Sequence, residues 1–191
     1  MPYPYLLPIA AVLAVRLCGG RWCRPCGSTA GRAGWPCDRA VRDGLARVVC
    51  PGRIDVVSRR PAVVIDTAHN VASIEALVEV LGESFSVGRR LLVFAASSDK
   101  EHREMLNTLL PNFDEALLAR FVENPRSVPP VELAAFAEEL TGRRPPTAES
   151  PAAARDWIAA NVHPDDLVCV TGSFFIAAEM RRELAARPLC S

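Results

Sequence analysis

Four short polar stretches hold most of the side chains in this sequence that could bind or transform a ligand. Asp66-Thr67-Ala68-His69-Asn70 places a carboxylate, an imidazole and an amide within five residues, a set able to read ribose hydroxyls, contact a base and cap a helix. The same side chains could equally do no more than close a turn, with Asp66 and Asn70 as caps and His69 solvated. Ser97-Ser98-Asp99-Lys100 contains the only lysine of the chain, either a phosphate-neutralising group or a surface charge. In Glu123-Asn124-Pro125-Arg126 the guanidinium could fork onto a carboxylate or be an ordinary surface arginine. Thr171-Gly172-Ser173 is the fourth.

Several chemistries are missing. The sequence has no G-x-x-x-x-G-K-[ST] loop to cradle a triphosphate, and no G-x-G-x-x-G turn, G-x-S-x-G elbow or H-E-x-x-H helix. The histidines are His69, His102 and His163, and no serine or cysteine is marked out as a nucleophile for any of them. The body therefore reads as half of a site.

The four stretches need elements to position them, and the pattern supplies these. Arg53 to Val57, Ala62 to Asp66, Leu91 to Ala95, Ala116 to Val122 and Leu167 to Thr171 read as strands. The second, third and last are continuous apolar runs, as expected for strands covered on both faces. Helices are expected after Asn70, with Val71, Ile74, Leu77, Val78, Leu81 and Phe85 inward, and from a capping box at Ser98-Asp99-Lys100-Glu101. Others are expected over Val131 to Leu140, from Ser150-Pro151 to about Val162, and after Gly172-Ser173. This alternation predicts an α/β fold with a mostly parallel sheet and helices on both faces. All four polar stretches then follow carboxyl ends of strands, the edge where such sheets bind ligands.

The composition agrees. The 191 residues are half apolar and 23% charged, which argues against disorder and a membrane-spanning helix. Zero net charge argues against a nucleic-acid binder. That neutrality is a cancellation: residues 1–50 carry seven Arg and two Asp, the remainder 15 basic and 20 acidic side chains. Five of seven cysteines lie in the first part. Cys23 and Cys26 form the one close pair among Cys18, Cys23, Cys26 and Cys37, too few for a zinc ribbon, so free thiols and no metal site are expected. Leu6 to Leu17 reads as a helix fragment, and Gly19 to Cys37, without hydrophobic period, as loop.

Order and spacing then resemble a known family. Gly44-Leu45-Ala46-Arg47, Pro51-Gly52-Arg53, Asp66-Thr67-Ala68-His69-Asn70 thirteen residues after that arginine, Asp99-Lys100-Glu101, and Gly172-Ser173-Phe174-Phe175 with Glu179 and Arg181 are similar to the C-terminal domain of folylpolyglutamate synthase / dihydrofolate synthase, in the Mur ligase superfamily. The likeness covers about residues 40–187. It implies a Rossmann-like domain over 39–191, preceded by an irregular segment over 1–38. Leu7 to Leu17 resembles the last helix of the family's ATPase domain, with Ile9 where the family has an ATP-contacting asparagine.

Such ligases phosphorylate a folate or dihydropteroate carboxylate with ATP, and glutamate's amine then displaces phosphate. The resemblance implies that Arg53 binds ATP, Asp66 contacts the ribose and His69 lines the nucleotide pocket, while Asn124 and Arg126 face the amino-acid substrate. It implies no catalytic residue here, with ATP and Mg held mainly by an ATPase domain outside this sequence, needed in cis or trans. A cytoplasmic protein without nucleic-acid or membrane partners is expected, inactive alone. The competing expectation is a non-catalytic nucleotide- or partner-binding module of the same fold. Arg53 and Asp66 are both expected at exposed ends of elements, where replacement by Ala costs under about 0.5 kcal/mol.

Limited proteolysis should remove roughly residues 1–38 and leave a folded α/β core, because Gly/Pro-rich chain without a hydrophobic face cannot offset its ordering entropy. Protected N-terminal cysteines binding zinc stoichiometrically would contradict this.

Overall fold

The computed structural model describes residues 50–189. The chain divides into two units, Met1–Pro51 and Gly52–Ser191, and the second is described below. The expectations for residues 1–38 and for Gly44-Leu45-Ala46-Arg47 lie outside the described residues.

Six strands, β1 (Asp55–Arg59), β2 (Ala62–Ile65), β3 (Arg90–Phe94), β4 (Glu115–Ala119), β5 (Thr147–Ala148) and β6 (Leu167–Thr171), form one sheet in the order β1-β2-β6-β3-β4-β5. Only β1 runs antiparallel, pairing Asp55 with Ile65. The last strand in the chain returns to the centre, between β2 and β3. Residues 63–65, 91–94 and 167–171 are buried, because parallel strands crossed by helices have no solvent face.

The helices are α1 (Val71–Ser84), α2 (His102–Leu109), α3 (Pro130–Thr141), α4 (Pro151–Asn161) and α5 (Phe174–Ala186). Side chains alternate across a strand, and the core follows. Val63, Ile65, Leu91, Val93, Leu117, Val168 and Val170 cluster with Ala154 and Ile158 of α4 and Ile176, Met180 and Leu184 of α5. The intervening Val64, Leu92, Phe94, Leu118 and Cys169 are equally buried, and α1, α2 and α3 pack side by side. The expected α/β fold, mostly parallel and covered on both faces, is the one observed.

Local contacts move three boundaries and add one strand. The chain at Gly52 and Ile54 has φ of 76° and 44°, so β1 begins two residues later than expected and Arg53 sits in a turn. The expected capping box at Ser98 does not form. The Ser98 amide donates to the Arg126 carbonyl (2.9 Å), residues 98–100 turn, and α2 starts at His102 without a side-chain cap. Strand β4 stops at Ala119, and the amides of Val122 and Glu123 donate to a side chain instead of the sheet. Two-residue β5 has too little sequence to show a period.

At the amino edge of the sheet, Arg89 joins three strand starts. Its Nη2 lies 2.7 Å from Asp166, its Nη1 3.0 Å from Glu115, and Nη2 also donates to the Asn161 carbonyl. Burial pushes the Asp166 carboxyl up, but hydrogen bonds from Arg89 and the His163 amide outweigh it and hold the group below its usual range. A carboxyl depressed in the fold stabilises above its unfolded pKa, and that contribution fades as pH falls through the folded value. Arg89→Ala should therefore cost about 2–3 kcal/mol near neutrality, and less in acid strong enough to protonate Asp166 in the folded state. Urea unfolding across this pH range measures the difference; a pH-independent cost would contradict the linkage.

Candidate functional site

The carboxyl edge of the sheet carries a cavity of about 400 Å³ lined by His69, Ser97, Asp99, Lys100, Arg126 and residues 172–175. It lies where connections diverge: β2 leads into α1, and the neighbouring β6 leads into α5 against the opposite core. This is the switch point at which open α/β sheets bind ligands.

Gly172 permits the cavity. At its φ of +107°, an added Cβ would fall 2.6 Å from the Ala95 carbonyl oxygen and from the Phe94 ring. The connection therefore lies directly on the end of β3, and the Gly172 amide donates to the Ala68 carbonyl (3.0 Å). Ser173 then caps α5, its hydroxyl accepting the Phe175 amide (3.2 Å). The positive end of a thirteen-residue helix thus borders the cavity.

Asn70 closes a reciprocal capping box with Ser73 and starts α1. His69 is held by its own loop, its Nδ1 2.9 Å from the Thr67 carbonyl oxygen. A carbonyl only accepts, so Nδ1 is the donor in this contact and Nε2 is the nitrogen left for a ligand. The Phe174 ring, 52% exposed, sits 5.0 Å from the imidazole, giving the cavity an apolar wall. Opposite charges line the rest: Lys100 lies 3.0 Å from Asp99. The hydrogen bond from Lys100 holds the Asp99 carboxyl below the usual range, so it is ionised near neutrality. The Asn124 carboxamide oxygen accepts the Arg126 amide at 2.9 Å and its Nε at 3.5 Å.

Of the residues singled out by sequence, His69, Lys100 and Arg126 line this cavity. Asn124 stands behind Arg126; Arg53 and Asp66 belong to a neighbouring turn. The expectation that Asp66 is exposed is incorrect. It is 5% exposed, and its oxygens accept the amides of Ile54 (2.8 Å) and Ala68 (2.7 Å). Burial pushes its carboxyl up, against those hydrogen bonds and the charges of Arg53 and His69. The physical reason is the turn at 51–54, which folds over the end of β2. The Thr67 amide donates to the Gly52 carbonyl (2.8 Å), and a Cβ on Gly52 would meet the Thr67 methyl at 2.8 Å. Asp66 fastens the buried, β-branched Ile54 in its left-handed conformation, an outlier for such a residue. Arg53 rides on that turn, exposed and without a hydrogen bond or ion pair among the described residues.

Ser97 and Ser173 lie in the polar stretches named from sequence and Phe174 in the motif that follows, but none of the three carries an individual binding role there. Helix-entry serines are common, and an exposed phenylalanine reads as core until its neighbours are known. Among the described residues no group of three His, Cys, Asp or Glu could hold a metal ion, and no helix is long and apolar enough to cross a membrane.

The fold and the strand-edge site define an open α/β domain with a polar cavity at a helix start. Residues 52–174 match the family described as "Mur ligase, glutamate ligase domain". The chain belongs to that family. It is 35% identical over 142 residues to the probable bifunctional folylpolyglutamate synthase/dihydropteroate synthase of Haloferax volcanii, covering 74% of this chain and 17% of that protein. With the Bacillus subtilis dihydrofolate synthase/folylpolyglutamate synthase it shares 29% over 147 residues, 77% of this chain and 33% of that one. The structure of Escherichia coli FolC in complex with DHPP and ADP superposes with a TM-score of 0.70 at 31% identity, over 78% of this chain and 35% of the other. The chain thus spans a third or less of the curated relatives named here.

Asp66→Ala should destabilise the domain by about 2–4 kcal/mol, because two buried amides lose their acceptor. Arg53→Ala should stay within about 0.5 kcal/mol, since an exposed group without a partner has little to lose. Thermal or urea unfolding separates them; equal effects would contradict the division between a buried fastening and a free guanidinium.

Proposed function

We propose that this chain is the C-terminal domain of an ATP-dependent ligase that adds glutamate to folate or dihydropteroate through an acyl phosphate. The observation that carries this is the convergence of Lys100, Arg126, Asp99, Ser97 and Ser173 on one cavity at the start of α5, near an Arg53 that has no hydrogen bond or ion pair among the described residues. The solved FolC relative that holds ADP and DHPP supports the same reading.

The division of labour follows from the residue types. Two cations and a helix start suit the two carboxylates of glutamate, and Asp99 suits its ammonium group. Phe174 and the His69 ring cover the methylene stem. Arg53 carries a permanent charge on a rigid planar fork, suited to phosphate oxygens of ATP or of the acyl phosphate. A residue that arrives on a second domain also lets domain closure exclude water from a hydrolysable intermediate. Asp66, with both oxygens held by amides, sets the turn beneath Arg53 and can still accept a ribose hydroxyl through its remaining lone pairs. His69 borders both ligands.

ATP is the co-substrate. Among the described residues no three His, Cys, Asp or Glu side chains cluster, and in this reading metal and triphosphate are held mainly by an ATPase domain supplied in cis or trans. In this reading the ligase-type domain spans residues 39–191, as the resemblance implies, and the chain alone does not turn over.

The test joins the chain to the ATPase domain of the Bacillus subtilis relative and measures ADP release dependent on both folate and glutamate. The fusion should turn over and the isolated chain should not, while Arg53→Ala in the fusion should lower the rate by about 10²-fold with little change in stability. Folate-dependent ADP release by the isolated chain, or a fusion indifferent to Arg53→Ala, would sink the reading in favour of a non-catalytic binding module.

A further inference from the structure

Glu179 lies two turns into α5, inside the protein rather than on the cavity wall. It is 5% exposed, and a buried carboxylate is costly unless its oxygens are satisfied. Both are: Oε2 accepts the Val122 amide at 2.8 Å and Oε1 the Glu123 amide at 2.9 Å. These consecutive amides follow β4, at the point where the chain leaves the sheet. The last apolar anchor before the loop is Phe121, buried against Phe175; Val122, 57% exposed, supplies none. One turn further along α5, Arg182 lies 2.6 Å from the Glu123 carboxylate and grips the loop from outside.

Three residues beyond Glu123, Arg126 reaches the cavity. Its far side is already fixed to the end of β3: the Arg126 carbonyl accepts the Ser98 amide, Ser127 bridges to Ser97, and the Val128 amide donates to the Ala96 carbonyl (3.0 Å). Beyond the buried Phe121, the backbone of the Arg126 loop is therefore held at its near end by the Glu179 carboxylate, with Arg182 on the Glu123 side chain, and at its far end by the end of β3.

We propose that Glu179 is a positioning residue for the amino-acid substrate, fixing the near end of the loop so that Arg126 and the Asn124 that holds it meet the ligand in one geometry. This rests on the glutamate reading of the cavity. Glu179 touches no ligand; it acts through two backbone amides.

The test titrates the isotope-labelled full chain with L-glutamate and follows the amide resonances of Arg126 and Ser173. Wild type should show a saturable shift. Glu179→Gln keeps the volume and one acceptor oxygen but turns an amide donor toward the second N–H, and should weaken apparent affinity about tenfold, as expected when a binding group moves by a fraction of an ångström to an ångström. Arg182→Ala, on the exposed side, should weaken it by a smaller factor without threatening the fold. Leu184→Ala, in the same helix but facing the core, should lower stability and leave the glutamate response unchanged. Wild-type affinity in Glu179→Gln would overturn the positioning role while leaving the glutamate reading intact. Should that variant fail to fold, unchanged affinity in Arg182→Ala overturns it. No glutamate-dependent shift in wild type would overturn the glutamate reading of the cavity and this proposal with it.

Discussion

The close approach of Gly172 to the end of β3 is the constraint on which the rest of the site depends. With a Cβ 2.6 Å from a backbone oxygen, any other residue would push the β6–α5 connection outward and swing the start of α5 with it. A helix is rigid over its thirteen residues, so a tilt at its start becomes a displacement along its length. Every contact that α5 makes with the strand-end loops is therefore set by one position where only hydrogen fits.

Those contacts make α5 a spoke joining two separate arginine turns. Arg181 pairs with Asp55, and Asp55 in turn accepts the Gly52 amide at 3.2 Å, which ties the Arg53 turn to the helix. Glu179 and Arg182 tie the Arg126 loop to it from the other side. Because these five charged groups, Glu123 included, act on backbone amides or on each other, the arginines at the tips are spared structural duty. The same helix presents its capped start to the cavity, so ligand and both loops share one rigid reference.

The layer structure was legible in the sequence because buried parallel strands leave an unambiguous mark: Ala62 to Ile65, Leu91 to Phe94 and Leu167 to Thr171 are apolar without alternation. Helix starts were legible where a side chain does the capping, as at Asn70, Ser150 and Ser173. They were not where tertiary contacts intervene. Ser98 has the local pattern of a capping box, yet its amide is taken by a carbonyl from the Arg126 loop, a partner 28 residues away that no local pattern can announce. Asp66 illustrates the same limit for burial. At the end of a strand it reads as exposed, and only the fold-back of residues 51–54 reveals that it is covered. The clustering of His69, Ser97, Lys100 and Arg126 is likewise a product of strand order, since returning β6 to the centre brings the edges of β2, β3 and β6 together.

The distribution of rigidity in the two arginine turns is itself informative. At Arg53 the backbone is among the most constrained in the domain: Gly52 and Ile54 hold left-handed conformations, Thr67 and Asp66 bond to them, and Ile54 is buried. Yet the guanidinium has no partner among the described residues. A protein gains nothing in stability by straining a β-branched residue to present a free cation, since the strain costs about 1–3 kcal/mol and an exposed arginine returns none of it. Such an arrangement does have value where a charge must meet another surface at a defined angle, because the ordering cost of the backbone is met before the encounter and only the long side chain remains to settle. Arg126 follows the same pattern, with its amide and Nε on Asn124 and its base held between α5 and β3. Fixed bases with free tips are what a domain needs if its arginines engage charges that it does not itself carry.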